Sequence, residues 1–139
     1  MNKQKLFTAI ALLVAVTAYW FWSNGSADNK VASGKPIVQV SVPNLQGIAK
    51  AGEPLFNENC ASCHGTNAAG QDGVAPPLIH KIYEPNHHGD QAFILAAKNG
   101  VRGHHWPFGN MPPVEGTTKR DITKIIAYVR ALQRANGIY

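Results

Sequence analysis

The sequence predicts a small all-α domain of three or more helices joined by long loops, with a centre that side chains alone do not fill. Apolar residues recur at helical spacing in three places, whereas alternation suited to a sheet is confined to one short stretch, Ile37–Val42. The chain has 139 residues, 45% of them apolar, with 13 glycines and 9 prolines gathered largely between the periodic segments. A compact region of 93 residues, 47–139, with this much loop can bury only a thin core. The length excludes a dinucleotide-binding enzyme with a substrate domain and a TIM barrel. Two cysteines exclude a disulfide scaffold.

The elements follow in order. Lys3 and Lys5 precede an uncharged run of 17 residues, Leu6 to Trp22, at the border between a signal peptide and a spanning helix. It closes on Tyr19-Trp20-Phe21-Trp22, an interfacial aromatic belt, so residues 1–22 are expected to be an uncleaved anchor, with a cleaved signal as the alternative. Either way the lysines stay inside and the remainder is exported: the domain is expected in the periplasm, tethered to the inner membrane or soluble there after cleavage. Residues 23–46 are expected as a flexible linker, and Ile37–Val42, set between Pro36 and Pro43, as extended chain lying on the domain. The domain itself spans 47–139. Its first helix ends at the cysteines, with Leu55 and Phe56 on one face and Pro54 in the first turn, where its missing N–H costs nothing. The second runs from an Asp90 cap to Asn99, with a stripe of Phe93, Ile94 and Ala97 and a stop at Gly100. The third opens on a Thr118-x-x-Asp121 capping box, carries Ile122, Ile125, Ile126, Val129 and Leu132 at helical spacing, and ends at Asn136-Gly137.

Charge says little about partners. Net charge is +5, of which residues 1–46 contribute +3, so the domain is nearly balanced. No basic stripe with interleaved aromatics appears, and nucleic acid is not an expected partner.

Cys60-Ala61-Ser62-Cys63-His64 decides the chemistry. C-x-x-C-H is the attachment signature for c-type haem. Two thiols one helical turn apart add to the two vinyl groups, and the adjacent His64 is carried under the iron as axial ligand. A redox C-x-x-C would follow a strand in a βαβ unit, and a structural zinc site would need a second ligand pair; neither accompanies this motif. The second axial ligand is found by elimination. Met1 and Met111 are the only methionines, so a thioether ligand must be Met111, held in Gly109-Asn110-Met111-Pro112-Pro113. Its competitors are His104 and His105, which would give a lower potential.

Residues 47–139 resemble a bacterial monohaem class I cytochrome c. Gly52-x-x-x-Phe56 is similar to that family's N-terminal helix, and Ile126-Ala127-Tyr128-Val129-Arg130 to the C-terminal helix that crosses it. Ala75-Pro76-Pro77-Leu78 resembles the loop behind the proximal histidine, and Gly109-x-Met111-Pro112 the distal loop. The resemblance implies helices and loops wrapped around one covalent haem c, and a Pro76 carbonyl that accepts from His64 and orients its ring. It implies a one-electron carrier rather than an enzyme, exchanging electrons with redox proteins such as a terminal oxidase or a dehydrogenase. The alternative is a haem subunit of a periplasmic peroxidase or sulfur-oxidising enzyme, which needs an open iron position. His87-His88 and His104-His105 lie outside these motifs. They are read as loop histidines bonded to propionates, backbone or water rather than as a second metal site, although imidazole suits copper and zinc.

Overall fold

The computed structural model describes residues 34–139, together with Val14, Val16, Thr17 and Tyr19. Apart from those four residues, the expected anchor lies outside the described residues. Among the described residues no helix is long and apolar enough to cross a membrane. Among residues 34–139, four α-helices appear in this order: α1 (Gly47–Asn59), α2 (Ala61–His64), α3 (Asp90–Asn99) and α4 (Lys119–Ala135). Short 3-10 turns at Thr66–Ala68 and Lys81–Tyr83 interrupt the loops. No strand forms among the described residues; only isolated bridges pair Gln71 with Ala75 and Val101 with Met111.

The longest of these four helices, α4, follows its sequence pattern closely. Thr118 accepts from the Asp121 backbone N–H at 3.2 Å, and Asp121 accepts from the Thr118 N–H at 3.2 Å, completing the capping box. The Thr118 hydroxyl and N–H hold the Asp121 carboxyl below the ordinary aspartate range. Ile122, Ile125, Ile126, Val129 and Leu132 are all buried, as is Tyr128. These side chains and Phe56 make most of the core.

α1 crosses α4 at Gly52. A Cβ built there would stand 2.0 Å from the Lys124 carbonyl oxygen and 3.0 Å from the Tyr128 Cβ. The two backbones touch, which only glycine permits, and the rings of Phe56 and Tyr128 pack alongside at 5.4 Å. Burial, together with nearby Glu53, pushes the Tyr128 phenol up to about 12; its hydroxyl donates to Asn67 Oδ1 at 3.2 Å.

Three expectations are revised. Pro54 sits inside α1, well past its first turn. It lies on the exposed side, as does Lys50, whose carbonyl it leaves unbonded, so water can serve that oxygen. Asp90 is the first residue of α3, and Gly89 holds the cap position. Its carboxylate instead accepts from Arg130 Nε at 2.9 Å. The linker reading of 23–46 extends too far. From residue 35 the chain is bound to the domain: Lys35 O accepts from the Asp72 N–H at 3.0 Å, the Ile37 and Val38 N–H groups both donate to Ala69 O at 3.1 Å, Asn136 brackets Ser41 through two hydrogen bonds of 2.9 Å, and Leu45 is buried in the core. Ile37–Val42 forms no strand, and the chain bends at Ile37 and Val38.

Gly52→Ala is expected to destabilise the haem-loaded protein by about 1–3 kcal/mol, the usual cost of overpacking where the facing atom is backbone. Urea unfolding followed by helical circular dichroism measures it, and an unchanged midpoint would refute the contact.

Candidate functional site

α1, α3, α4 and the intervening loops enclose a cavity of about 470 Å3. This lies within the range of roughly 300–1,000 Å3 found for pockets that bury a sizeable organic ligand. Its walls are mainly apolar, with Phe56, Phe93, Ile122, Ile125 and Ile126 among them. Cys60, Cys63, His64 and Met111 line the same cavity. Residues 47 positions apart in the chain, His64 and Met111, are thus brought to one space.

The cysteines sit where α1 gives way to α2. Cys60 ends α1, and the His64 N–H donates to its carbonyl at 2.9 Å, so the pentapeptide is wound into one helical turn. Cys63 is exposed and Cys60 partly buried. Burial, with Cys63 beside it, pushes the Cys60 thiol up to about 12. His64 is buried, and its Nδ1 lies 2.9 Å from Pro76 O. A carbonyl can only accept, so Nδ1 carries the proton and donates. The lone pair is left on Nε2. Burial, opposed by this hydrogen bond, lowers the imidazole's pKa and keeps it a neutral, ligand-competent base.

Met111 is held by reciprocal backbone hydrogen bonds with Val101, both 2.9 Å. Gly100 makes this possible. It has φ +74°, and a Cβ there would stand 2.5 Å from Met111 O. Asn110 Oδ1 accepts from Gly103 N–H at 2.9 Å and closes the loop further.

The sequence profile of the Cytochrome c family matches residues 49–133, more than half of the chain. This chain belongs to the cytochrome c family. It is 37% identical over 94 residues to the Cbb3-type cytochrome c oxidase subunit FixP of Bradyrhizobium sp. (strain ORS 278), covering 66% of this chain and 30% of that protein. It is 36% identical over 86 residues to the Cbb3-type cytochrome c oxidase subunit CcoP of Rubrivivax gelatinosus, covering 60% of this chain and 26% of that protein. Cytochrome c-554(547) of Halothiobacillus neapolitanus is 32% identical over 96 residues, 63% of this chain and 99% of that protein. The matched part therefore spans less than a third of the two oxidase subunits. No solved structure matches the chain.

Membership in the cytochrome c family implies a covalent haem c, and the residues present fit one. A flat apolar macrocycle suits the apolar walls, two thiols lie at the cavity edge, and a neutral imidazole and a thioether face the interior chemistry. A donor would also be available to the carboxylates such a group carries. Trp106 Nε1 is buried in the cavity lining with no hydrogen-bond partner. The Tyr83 hydroxyl is near enough for this indole to favour its ionised form, against the stronger opposing effect of burial, yet the two do not complete a hydrogen bond. An orphaned N–H costs about 1–3 kcal/mol unless a ligand accepts from it.

One functional arrangement of this cytochrome was invisible in the sequence. The Arg130 guanidinium is buried and makes four hydrogen bonds: Nε donates to Asp90, Nη1 to Tyr83 O at 2.7 Å and Gln133 Oε1 at 2.6 Å, and Nη2 to His88 O at 2.5 Å. It also stands 4.8 Å from the Phe93 ring centroid. One side chain thereby pins the loop at 83–88 to α3 and α4. Only the Asp90 partner is a charge, and its side chain is 65% exposed, so the carbonyl contacts matter more than the ion pair. Arg130→Met is expected to cost about 2–4 kcal/mol, because His88 O and Gln133 Oε1 lose their donor and Tyr83 O keeps only that of Gln133 Nε2. A loss below about 0.5 kcal/mol in thermal unfolding, the range of ordinary surface substitutions, would show that the network carries no such weight.

Proposed function

We propose that this domain is a one-electron carrier, holding one haem c through thioethers to Cys60 and Cys63 and iron ligation by His64 and Met111. The convergence of His64 and Met111 on one apolar cavity, with both thiols at its edge, carries the reading. The bound group would supply a one-electron iron couple. The chain's own residues then do four things. The Pro76 carbonyl fixes the tautomer and plane of His64, so Nε2 is presented in one orientation. The Val101 bridge holds the Met111 backbone, so the sulfur is offered by a stiff loop. Phe56, the α4 isoleucines and Phe93 exclude water. With two protein ligands in place no position is left for a substrate, which supports carriage rather than catalysis.

A partner would meet the domain at the cavity mouth. Val74 and Leu95 line the cavity and are 43% and 47% exposed, and Cys63 is exposed beside them. The near-neutral domain favours docking with weak salt dependence. The relatives named as oxidase subunits support a respiratory terminal oxidase as one partner. The run Leu6–Trp22 supports a tether that keeps the domain on the outer face of the inner membrane and raises its effective concentration near such a partner.

Met111→Ala is expected to abolish the sulfur-to-iron absorption band while leaving the added mass of the haem unchanged. Its potential should fall by on the order of a tenth of a volt, within the roughly 0.8 V that axial ligands span. A spectrum and potential identical to wild type would remove Met111 from the iron. Deleting residues 1–22 behind a cleavable signal is expected to move the protein from the membrane to the periplasmic fraction. Retention in the membrane fraction would refute the tether.

A further inference from the structure

Four histidines from two separate loops converge at the rim of the cavity. The rings of His87 and His88 stack at 4.6 Å; His105 meets each of them edge-on at 5.3 Å. His104 stands 4.1 Å from His105 and 6.2 Å from His88. One ring nitrogen from each of His87, His88 and His105 lies within 4.8 Å of the other two. We propose that His87, His88 and His105 form a three-imidazole site for a divalent cation of the copper–zinc class, distinct from the haem iron.

The geometry and the chemistry agree on this. Three imidazoles around a tetrahedral ion with bonds of about 2.0–2.1 Å stand about 3.3 Å apart, so closure needs small side-chain rotations. His87 and His105 are exposed and free to make them. His88 is the fixed member. Its Nδ1 donates to Ile82 O at 2.6 Å, leaving Nε2 with the lone pair, and its own carbonyl is held by Arg130. A histidine whose other nitrogen donates to a backbone carbonyl is the usual arrangement of a metal ligand. Partial desolvation and the adjacent His104, His88 and His87 lower the His105 pKa. A set of neutral nitrogen donors with no carboxylate selects Cu2+ and Zn2+ over Mg2+ or Ca2+. The fourth position is left to water.

The test uses the haem-loaded full chain, cleared of loose metal by a chelator and dialysed against ZnCl2 or CuCl2, with iron counted in the same sample. One zinc, or one copper, per iron is expected in wild type. His105→Ala should weaken each ion by about tenfold or more, and His87→Ala with His105→Ala should abolish stoichiometric binding. Neither side chain makes a hydrogen bond in the described structure, and an unchanged haem spectrum confirms that the variants are folded. In the copper arm, electron paramagnetic resonance should show nitrogen coupling that is lost in the double variant. No second metal per iron, or equal affinity in the double variant, would overturn the site. The iron count reports independently on the haem reading.

Discussion

The contact between the backbones of α1 and α4 at Gly52 sets the frame for everything else. Two helices from opposite ends of the domain meet with no side chain between them. That closeness places Phe56 against Tyr128 and turns the isoleucine stripe of α4 toward the space beneath the cysteines. A larger residue would lever the helices apart and open the cavity at the end where α1 delivers Cys60. The crossing is both the densest part of the core and the hinge of the site, so stability and ligand geometry cannot be varied separately there.

Away from the crossing, order comes from hydrogen bonds to main-chain carbonyls rather than from a sheet. Pro76 O orients His64, Met111 and Val101 bond reciprocally, Ala69 O accepts from Ile37 and Val38, and Arg130 gathers the carbonyls of Tyr83 and His88. Loops rich in glycine and proline can be rigid when their polar groups are satisfied this way. That rigidity holds the loop residues that line the cavity, His64 and Met111 among them, in place.

Much of this was legible in the sequence, and the reason is local. The α4 isoleucines follow one period, the capping box needs four consecutive residues, and the cysteine motif fits one helical turn. Met111, singled out by scarcity, lines the same cavity as His64. What failed was decided by tertiary placement. Pro54 is tolerated mid-helix because it faces water, and Asp90 forgoes the cap because Arg130 reaches it. Asn67 and Ala68 both adopt positive φ, +55° and +59°, a conformation costly for alanine. There Asn67 accepts from Tyr128 and Ala68 O accepts from Leu78 N–H, so packing around the turn enforces it. No local signal announces a residue strained by its neighbours.

The histidine pairs show the same limit from the functional side. Read along the chain, His87-His88 and His104-His105 are two unrelated doublets in polar loops. In space, the loop after Lys81–Tyr83 and the loop before Met111 face each other across the cavity rim, and the doublets become one cluster. The side chain that sets this juxtaposition is Arg130, which comes from neither loop. By holding His88 O and Tyr83 O against α4, it fixes one wall of the cavity and one half of the cluster with the same guanidinium. The cluster therefore shares one loop with the wall that carries Tyr83 and the other, 104–111, with the segment that presents Met111.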